Sequence, residues 1–310
     1  MEYKFSILIP AYKKKFFREC VDSILHQTYI HFEIIILNDA SPEDLEDVVR
    51  DYSDERIKYY RNQSNVGAID VVDNWNKCLA LSNGDYIICM GDDDKLQPDC
   101  LEEYSKLIEK HPEVNVFHTR SMIIDEKSVP YQLTASRAEF ETVYDYMYNC
   151  LINPTVQFVG DFLYRADYLK RNGGFYKLPL AWGSDYITSF IAASKNGIVH
   201  TNKILFSYRQ NRQSITSGAF GSLKYAATKE KCLFLKDFIE QCNPQTENEK
   251  IMKKMIQERL PQYSFKMVTY ELANILKKKR IYISIYYLFC RKRYGISYKM
   301  WFAALLKSVV

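Results

Sequence analysis

The sequence has no apolar run long enough to cross a membrane as a helix. Hydrophobic residues make up 47% of its 310 residues, but no stretch reaches the roughly 18 to 20 uninterrupted apolar residues that a spanning helix needs. A secretory signal is also missing, because an apolar strand begins at about Lys4 without a basic stretch and a long apolar segment before it. We therefore expect a cytoplasmic chain without a signal peptide.

Paired cysteines are missing as well. The eight cysteines are scattered, no two of them form a C-x-x-C pair, and several lie within apolar runs. Disulfide frameworks and structural zinc sites depend on closer and more regular spacings. We expect free, buried thiols in a reducing compartment.

Acidic residues are almost absent from the C-terminal segment, where the basic character of the chain is concentrated; the formal net charge of the whole is +4. From Glu271 onward, that single acid stands against Lys277, Lys278, Lys279, Arg280, Arg291, Lys292, Arg293, Lys299 and Lys307. Aromatic residues are interleaved with these. One interpretation is a pair of interfacial helices on the anionic inner face of the cytoplasmic membrane. The other is a helical cap packed on the rest of the chain or on a second subunit.

A nucleic-acid partner fits this charge distribution poorly. The basic residues lie in one aromatic helical tail, and no motif that reads nucleic acid is present. We therefore expect no nucleic-acid partner.

The first half of the chain alternates short apolar runs with segments of helical periodicity. Strands are predicted near residues 5–9, 32–37, 56–60 and 85–90, and helices near 16–27, 68–81 and 98–110. Ser41-Pro42 also predicts a helix that begins at Pro42. This β-α-β rhythm is typical of a parallel sheet covered by helices, whose ligands lie beyond the carboxyl ends of the strands.

The second half of the chain is less regular and then becomes helical. Strands are predicted near residues 114–118, 161–165, 198–200 and 204–208, and a helix near 184–196. From about Ser217, long helical patterns run to the end and are interrupted at Asn243-Pro244, Pro261 and Gly295. The predicted division is therefore a domain of residues 1–216 and a helical region of residues 217–310.

Gly91-Asp92-Asp93-Asp94, directly after the fourth predicted strand, is the strongest chemical feature of the sequence. Three adjacent carboxylates repel one another, so holding them together is costly without a cation. A hard divalent ion with oxygen ligands relieves that repulsion and also binds phosphates. In isolation such a run is more often a solvated acidic turn, but its place after a buried strand favours a cation site.

Several segments, in order and at matching separations, resemble family 2 glycosyltransferases of the GT-A fold. They are FSILIPAY (5–12), SILHQTY (23–29), FEIIILNDAS (32–41), NVG (65–67), GDYIICMGDDD (84–94), Pro98, AWGSD (181–185) after GGF (173–175), YR (208–209) and SIT (214–216). The resemblance covers roughly residues 4–216. It implies a mixed, mostly parallel α/β sheet flanked by helices, with residues 1–120 as the nucleotide-binding half, residues 121–216 as the acceptor half, and a C-terminal helical extension.

The resemblance implies a nucleotide site in the first half. The residues that would line it are Pro10, Ala11, Tyr12, Asn65 and Gly67. Asp39 would accept a hydrogen bond from the base imide, which favours uracil or thymine over guanine. A carboxylate that caps the following helix is the alternative role for Asp39.

A divalent metal, Mn²⁺ or Mg²⁺, is the implied cofactor. Asp93 would be its main ligand and Asp94 would join it, while Asp92 would contact the ribose. The chain departs from the family at one place: many members have Asp-x-Asp-Asp here, and Gly91 takes the position of the first aspartate. Ribose contact then falls to Asp92 or to another residue, and we expect weakened metal binding.

Asp185 is the implied general base. An inverting transfer needs a carboxylate that takes the proton of the acceptor hydroxyl as its oxygen attacks the anomeric carbon. Many members have Glu-Asp where this chain has Ser184-Asp185, and the aspartate alone is needed for that role. A cap for the helix that begins nearby is the alternative role for Asp185. Trp182 and Gly174 would contact the acceptor, although core packing is an equally good interpretation of Trp182.

The implied function is inverting transfer of a sugar from a nucleotide-diphosphate sugar, with UDP expected, to a carbohydrate or lipid-linked carbohydrate acceptor. Synthesis of capsule, lipopolysaccharide or exopolysaccharide is the expected context. A metal-dependent nucleotidyltransferase is one alternative, but it should have a glycine-rich loop after the first strand, where this chain has AYKKK (11–15). A non-catalytic nucleotide-sugar-binding protein is another, and the presence of both Asp93 and Asp185 argues against it.

Overall fold

The computed structural model describes residues 2–152, 156–211, 220–278 and 280–309. Its centre is a ten-stranded sheet. The strands are β1 (Phe5–Ala11), β2 (Phe32–Asn38), β3 (Ile57–Arg61), β4 (Tyr86–Cys89), β5 (Lys95–Leu96), β6 (Val116–Ile124), β7 (Pro130–Leu133), β8 (Phe140–Glu141), β9 (Phe162–Arg165) and β10 (Ile198–Arg209). The helices are α1 (Phe17–Leu25), α2 (Leu45–Arg50), α3 (Val71–Leu81), α4 (Cys100–Lys110), α5 (Val143–Ile152), α6 (Ala166–Arg171), α7 (Ser184–Ala193), α8 (Gly221–Gln241), α9 (Glu247–Lys278), α10 (Arg280–Phe289), α11 (Arg291–Tyr294) and α12 (Tyr298–Val309).

The sheet is mixed, as the sequence predicted. Its order is β3-β2-β1-β4-β9-β6-β10-β5, with β7 beside β6 and β8 beside β10. The four strands β1 to β4 are parallel, β9 runs antiparallel between β4 and β6, and β10 is parallel to β6. The carboxyl ends of β1, β2 and β4 therefore lie together at one edge of the sheet, where ligands of such folds bind.

The central strands are apolar on both faces because helices cover both. Along β1, Leu8 packs in a core with residues of α3, α5 and α7, whereas Ile7 and Ile9 pack in a second core with residues of α1 and α4. Successive side chains of a strand point to opposite faces. This double coverage explains the uninterrupted hydrophobic runs of the sequence.

Some boundaries differ from the prediction. The two strands expected near residues 198–200 and 204–208 are one strand, β10, whose pairing with β6 shifts register between Thr201 and Phe206. α2 begins at Leu45 rather than at Pro42, because the carboxylate of Asp44 accepts a hydrogen bond from the backbone N–H of Asp47 and so caps the helix there.

The C-terminal helices form two groups. Leu235 of α8 and Leu260 of α9 belong to the same core cluster as α3, α5 and α7. A smaller cluster, which includes Tyr287 and Ala304, attaches α10 and α12 to α8 and α9. The predicted boundary at residue 216 and the motif at residues 214–216 lie outside the described residues. In the described ranges, none of the helices has the length and apolar character required to cross a bilayer.

α9 continues through Pro261, where the sequence predicted a break. A proline inside a helix removes one backbone hydrogen bond and crowds the preceding turn, at a cost of about 3 kcal/mol. Burial on both sides offsets that cost, because Ile256, Leu260 and Leu272 are almost inaccessible to solvent. Tertiary packing therefore decides the length of α9.

Candidate active site

Four segments meet at the carboxyl edge of the sheet: the turn after β1, the end of β2, the loop after β4 and the end of β10. Asp92 joins the first and the third, because its Oδ2 accepts hydrogen bonds from the backbone N–H groups of Tyr12 and Lys13 at 2.6 and 2.7 Å. Its second oxygen lies 3.6 Å from Lys13 Nζ. A ribose contact by Asp92 would therefore be made by this second oxygen.

Asp93 lies between two donors. Lys13 Nζ is 2.8 Å from Asp93 Oδ2, and Asn211 Nδ2 donates a hydrogen bond to the same oxygen at 2.5 Å. The side chain of Asp93 is 11% exposed. The Lys13 ammonium would therefore compete with a metal cation for this oxygen of Asp93.

Asp94 is bound to backbone groups on both sides. Its Oδ1 accepts a hydrogen bond from Arg209 N at 2.9 Å, and its Oδ2 accepts one from Gly91 N at 3.3 Å. A Cβ at Gly91 would lie 2.9 Å from Asp93 Oδ1 and equally close to Asp94 Oδ2. The space that a first aspartate would need is therefore taken by the carboxylates of Asp93 and Asp94.

Burial makes the ionised forms of Asp92 and Asp94 costly. Burial and the neighbouring charge of Asp93 raise the pKa of Asp92 to about 6, although the charge of Lys13 opposes this. Burial and Asp93 likewise raise the pKa of Asp94 well above its usual range. Burial disfavours the charged form of Lys13, but the charges of Asp92 and Asp93 outweigh it and raise the pKa of Lys13. A divalent cation would favour the ionised forms of these carboxyls.

The donor set fits a hard divalent cation held by Asp93. Asp92 and Asp94 each use an oxygen on backbone N–H groups, and within the described ranges no three acidic, histidine or cysteine side chains converge as a metal site. Mg²⁺ and Mn²⁺ accept one or two carboxylates when phosphate oxygens and water complete their coordination. The geometry favours Asp93 as that ligand, and the joint ligation by Asp93 and Asp94 stays a prediction.

Arg209, at the end of β10, is hydrogen-bonded to the backbone of the Asp92–Asp94 loop. Its side chain is fully buried, its Nε donates to the backbone carbonyl of Asp93 at 2.8 Å, and its Nη2 donates to Glu19 Oε2 at 2.8 Å. The guanidinium also lies 4.2 Å from the centroid of the Phe16 ring. The sequence signal was the Tyr208-Arg209 segment, which belongs to the family resemblance but was assigned no role.

Asp39, at the end of β2, is held by the segment before α3. Its Oδ1 accepts hydrogen bonds from Asn62 Nδ2 at 2.8 Å and from Val66 N at 3.0 Å, and its carbonyl oxygen accepts one from Asn65 Nδ2 at 3.0 Å. The alternative role of Asp39 as a helix cap is wrong, because Asp44 caps α2. The base-binding role stays a prediction.

The other predicted nucleotide-binding residues lie around Asp39. Pro10 and Ala11 pair with Leu37 and Asn38, directly before it. Tyr12 is 43% exposed, and its carbonyl oxygen accepts a hydrogen bond from Ser41 Oγ at 2.6 Å. Gly67 has φ +76°, a conformation that glycine adopts without strain. The structure therefore brings the predicted nucleotide-binding residues together, and their contact with a nucleotide stays a prediction.

Asp185 lies in the first turn of α7, and Gly183 is the residue that precedes this helix. It is half-buried. Burial raises the pKa of Asp185 to about 6, while a hydrogen bond from the backbone N–H of Tyr186 and the charge of Lys231 oppose the rise. A carboxyl with this pKa is ionised at neutral pH and still able to accept a proton, as a general base requires. Its catalytic role stays a prediction.

The two predicted acceptor residues have packing partners. Trp182 is half-buried, its Nε1 donates to Glu271 Oε1 at 3.2 Å, and Lys224 Nζ lies 4.4 Å from its ring centroid. Both partners come from the C-terminal helical region. At Gly174, φ is +80° and a Cβ would collide with Asn76 Oδ1, so this glycine is required for packing on α3. Acceptor contact by either residue stays a prediction.

A family profile and two kinds of relatives match the chain. The profile described as glycosyl transferase family 2 matches residues 6–173, more than half of the chain. The putative teichuronic acid biosynthesis glycosyltransferase TuaG of Bacillus subtilis is 33% identical over 101 residues, which cover 32% of this chain and 39% of TuaG. The chain spans less than half the length of the first curated relatives that it matches.

Two solved structures have the same fold. Staphylococcus aureus TarS 1–349 in complex with UDP-GlcNAc matches with a TM-score of 0.72 at 16% identity, over 99% of this chain and 88% of that chain. The mannosyltransferase PcManGT of Pyrobaculum calidifontis in complex with GDP-Man and Mn²⁺ matches with a TM-score of 0.57 at 14% identity, over 100% of this chain and 88% of that chain. The predicted GT-A architecture with a C-terminal helical region is confirmed.

Proposed function

Because the chain belongs to glycosyl transferase family 2, we propose that it transfers a sugar from a nucleotide-diphosphate sugar to an acceptor hydroxyl. The proposed donor is a UDP-sugar. The observation that carries the proposal is that the predicted nucleotide-binding residues around Asp39 and the Asp92–Asp94 loop lie at the same edge of the sheet. TarS, which has the same fold, is described with UDP-GlcNAc. TuaG, a relative, is described as acting in teichuronic acid synthesis, which supports a cell-surface polysaccharide as the product.

The donor would be held at its two ends. Asp39 has its Oδ1 engaged by Asn62 and Val66, which leaves its second oxygen to accept a hydrogen bond from the imide of the base. Asp93 would bind the metal, and the metal would bind the diphosphate and offset its charge when it leaves. A pyrimidine base with an imide N–H fits an acceptor carboxylate at Asp39.

The transfer would then be a single displacement with inversion. The acceptor oxygen forms a bond to the anomeric carbon, and the bond from that carbon to the diphosphate oxygen breaks with its electron pair on the diphosphate. Asp185 takes the acceptor proton on its carboxylate. Since burial raises the pKa of Asp185 to about 6, we expect the rate to fall as the pH decreases below about 6 and this base becomes protonated.

Calorimetric titration of UDP, with and without Mn²⁺, tests the donor site. We expect binding that depends on Mn²⁺ in the wild type, a loss of that dependence in Asp93→Ala, and unchanged binding in the matched control Asp99→Ala, whose side chain is exposed. Asp185→Asn should bind UDP normally and release no UDP from a UDP-sugar. If UDP fails to bind with or without the metal, GDP and dTDP are the next probes, and failure of all three contradicts the proposal.

For the C-terminal helices we propose peripheral contact with an anionic membrane, which would suit a lipid-linked acceptor. The exposed hydrophobic side chains of α10 recur at i, i+3, i+4 and i+7 and so share one face. They are Tyr282, Ile285, Tyr286 and Phe289, and those of α12 are Tyr298, Phe302 and Leu306. The basic helix α11 lies between them in sequence, and no acidic residue follows Glu271. This composition is typical of helices that lie in a lipid interface.

Liposome flotation tests the membrane contact. We expect the wild type to float with vesicles that contain phosphatidylglycerol and to remain unbound with pure phosphatidylcholine. A variant with Arg291, Lys292 and Arg293 changed to Gln should lose flotation. The matched control changes the exposed Lys236, Lys250 and Lys254 to Gln. Equal flotation of both variants, or a stable dimer without lipid binding, contradicts the proposal.

A further inference from the structure

A lysine of the C-terminal helical region is buried against the turn that carries the proposed base. Lys231 lies on α8 and is 6% exposed. Removing an ammonium group from water is costly unless nearby groups compensate its charge. The proposed transfer mechanism does not use the Lys231 ammonium, so the burial of this group requires another explanation.

The stem of Lys231 lies on the backbone that begins α7. Gly183 has φ +100°, and a Cβ built on it would be 2.7 Å from Lys231 Cδ. Only glycine combines this conformation with such a close approach. Asp185 follows two residues later in the first turn of α7, so Lys231 packs on the turn that carries the base.

The ammonium end of Lys231 lies close to aromatic side chains. Its Nζ is 5.0 Å from the centroid of the Tyr186 ring, and it interacts with Tyr263 on α9. Burial disfavours the charged form of Lys231, but Tyr263, Cys232 and Asp185 outweigh this and raise the pKa of Lys231. Lys231 therefore remains charged at neutral pH.

Four other titratable groups near Asp185 and Lys231 are one carboxyl and three phenols, and none of these can carry a positive charge. Asp161 and Tyr164, at the start of β9 and within it, both interact with the charge of Asp185, and burial raises the pKa of each well above its usual range. Burial also raises the pKa of Tyr186 and Tyr263. Among these groups, Lys231 is the one that can balance a negative charge on Asp185.

We propose that Lys231 is a positioning residue for Asp185: its stem fixes the first turn of α7, and its ammonium stabilises the ionised carboxylate that accepts the proton. This role rests on the proposed function of Asp185. It also gives the C-terminal helical region a part in the reaction, because α8 supplies a positive charge that interacts with Asp185.

Carbon-13 NMR of protein labelled at the aspartate carboxyl carbons tests the proposal directly. The Asp185 signal is assigned by its absence in Asp185→Asn, and its chemical shift is followed against pH. Loss of a nearby positive charge disfavours the ionised carboxylate, so we expect Lys231→Met to raise the pKa of Asp185 by about one unit. Lys231→Arg keeps the charge and should restore most of the wild-type value. Lys236→Met, an exposed change on the same helix, should leave it unchanged.

The reaction gives a second readout. At pH 6, Lys231→Met should release UDP from a UDP-sugar about fivefold more slowly than the wild type, with recovery towards pH 8 and unchanged UDP affinity. If Lys231→Met does not fold, Lys231→Gln retains a polar partner for Tyr263 and is measured instead. An unchanged Asp185 titration in a folded Lys231 variant overturns the proposal. Normal turnover by Asp185→Asn would instead overturn the base assignment.

Discussion

At the scale of single residues, three neighbouring carboxylates have three different tasks. Asp92 holds the turn after β1, Asp94 holds the backbone of Arg209, and Asp93 is left beside Lys13 and an amide. Asp92 and Asp94 each use oxygens on backbone N–H groups, whereas Oδ2 of Asp93 is bound by side-chain donors. Metal binding at this site therefore depends on Asp93 and on the groups, such as the Lys13 ammonium, that compete with the metal for its carboxylate.

The first prediction concerns that competition. Lys13→Met removes the ammonium 2.8 Å from Asp93 Oδ2, so without nucleotide we expect Mn²⁺ to bind about tenfold more tightly, because the metal no longer competes with a tethered cation. Electron paramagnetic resonance of free Mn²⁺ measures the change. Lys14→Met is the matched control, since Lys14 pairs with Asp47 at the surface. Weaker binding in Lys13→Met would show that Lys13 supports the metal.

The second prediction concerns Gly91. Gly91→Asp restores the aspartate that many family members have, yet a Cβ there would lie 2.9 Å from carboxylate oxygens of both Asp93 and Asp94. We expect this change to weaken Mn²⁺-dependent UDP binding at least tenfold, because crowding displaces the ligand. Calorimetry measures it, and Gly91→Ala separates crowding from charge. Tighter binding in Gly91→Asp would mean that the loop adjusts and that the missing carboxylate matters more.

At the scale of elements, one buried carboxylate joins neighbouring strands. Glu33 of β2 accepts hydrogen bonds from Ser6 Oγ of β1 at 2.7 Å, from Lys58 Nζ of β3 at 2.7 Å and from Asn83 N, before β4, at 2.6 Å. Burial by itself would raise the pKa of Glu33, but these donors and Lys4 outweigh it and lower the pKa to about 2. The parallel strands that carry the active-site loops are thus linked through one side chain.

The third prediction follows from this pKa. A folded-state pKa below the unfolded one gives stability that is present above the unfolded pKa and is lost as the pH falls towards the folded pKa. We expect Glu33→Gln to lower the free energy of unfolding by about 3 kcal/mol at pH 7, and the difference from the wild type to shrink between about pH 4.5 and 2. Urea unfolding measures this, with exposed Glu55→Gln as the control. A constant difference over that range would contradict it.

At the scale of the whole molecule, the sheet and the C-terminal helices share one core. α8 and α9 contribute to the cluster that covers one face of the sheet, and they place Lys224, Lys231 and Glu271 around Trp182 and Asp185. The predicted division into residues 1–216 and 217–310 is therefore a division of sequence character, and the two parts bury each other's apolar surface.

The fourth prediction tests this dependence. A chain that ends at residue 216 would expose the apolar side chains of α5 and α7 that pack on α8 and α9, so we expect it to aggregate or to melt at a much lower temperature than the full chain. Circular dichroism and analytical ultracentrifugation measure this. A chain that lacks only α10 to α12 retains the shared core and is the control. A soluble 1–216 chain with normal UDP affinity would contradict the prediction.

The sequence alone determined the type of fold and the candidate residues. Continuous apolar runs near residues 5–9, 32–37 and 85–90 require cover on both faces, and the β-α-β rhythm then places Asp39 and the Asp92–Asp94 run at strand ends. These are local patterns with a fixed period, so they can be recognised without knowing any distant contact. The ordered motifs also predicted membership of glycosyl transferase family 2, which the profile match confirms.

Only the tertiary structure decided how these residues are used. The pairing of Asp93 with Lys13 joins residues 80 positions apart, the support of the aspartate loop by Arg209 joins residues 116 apart, and the packing of Lys231 on Gly183 crosses from one predicted region into the other. The continuation of α9 through Pro261 likewise depends on burial that local propensity does not contain. Such contacts depend on how whole elements pack, and no periodicity in the sequence encodes them.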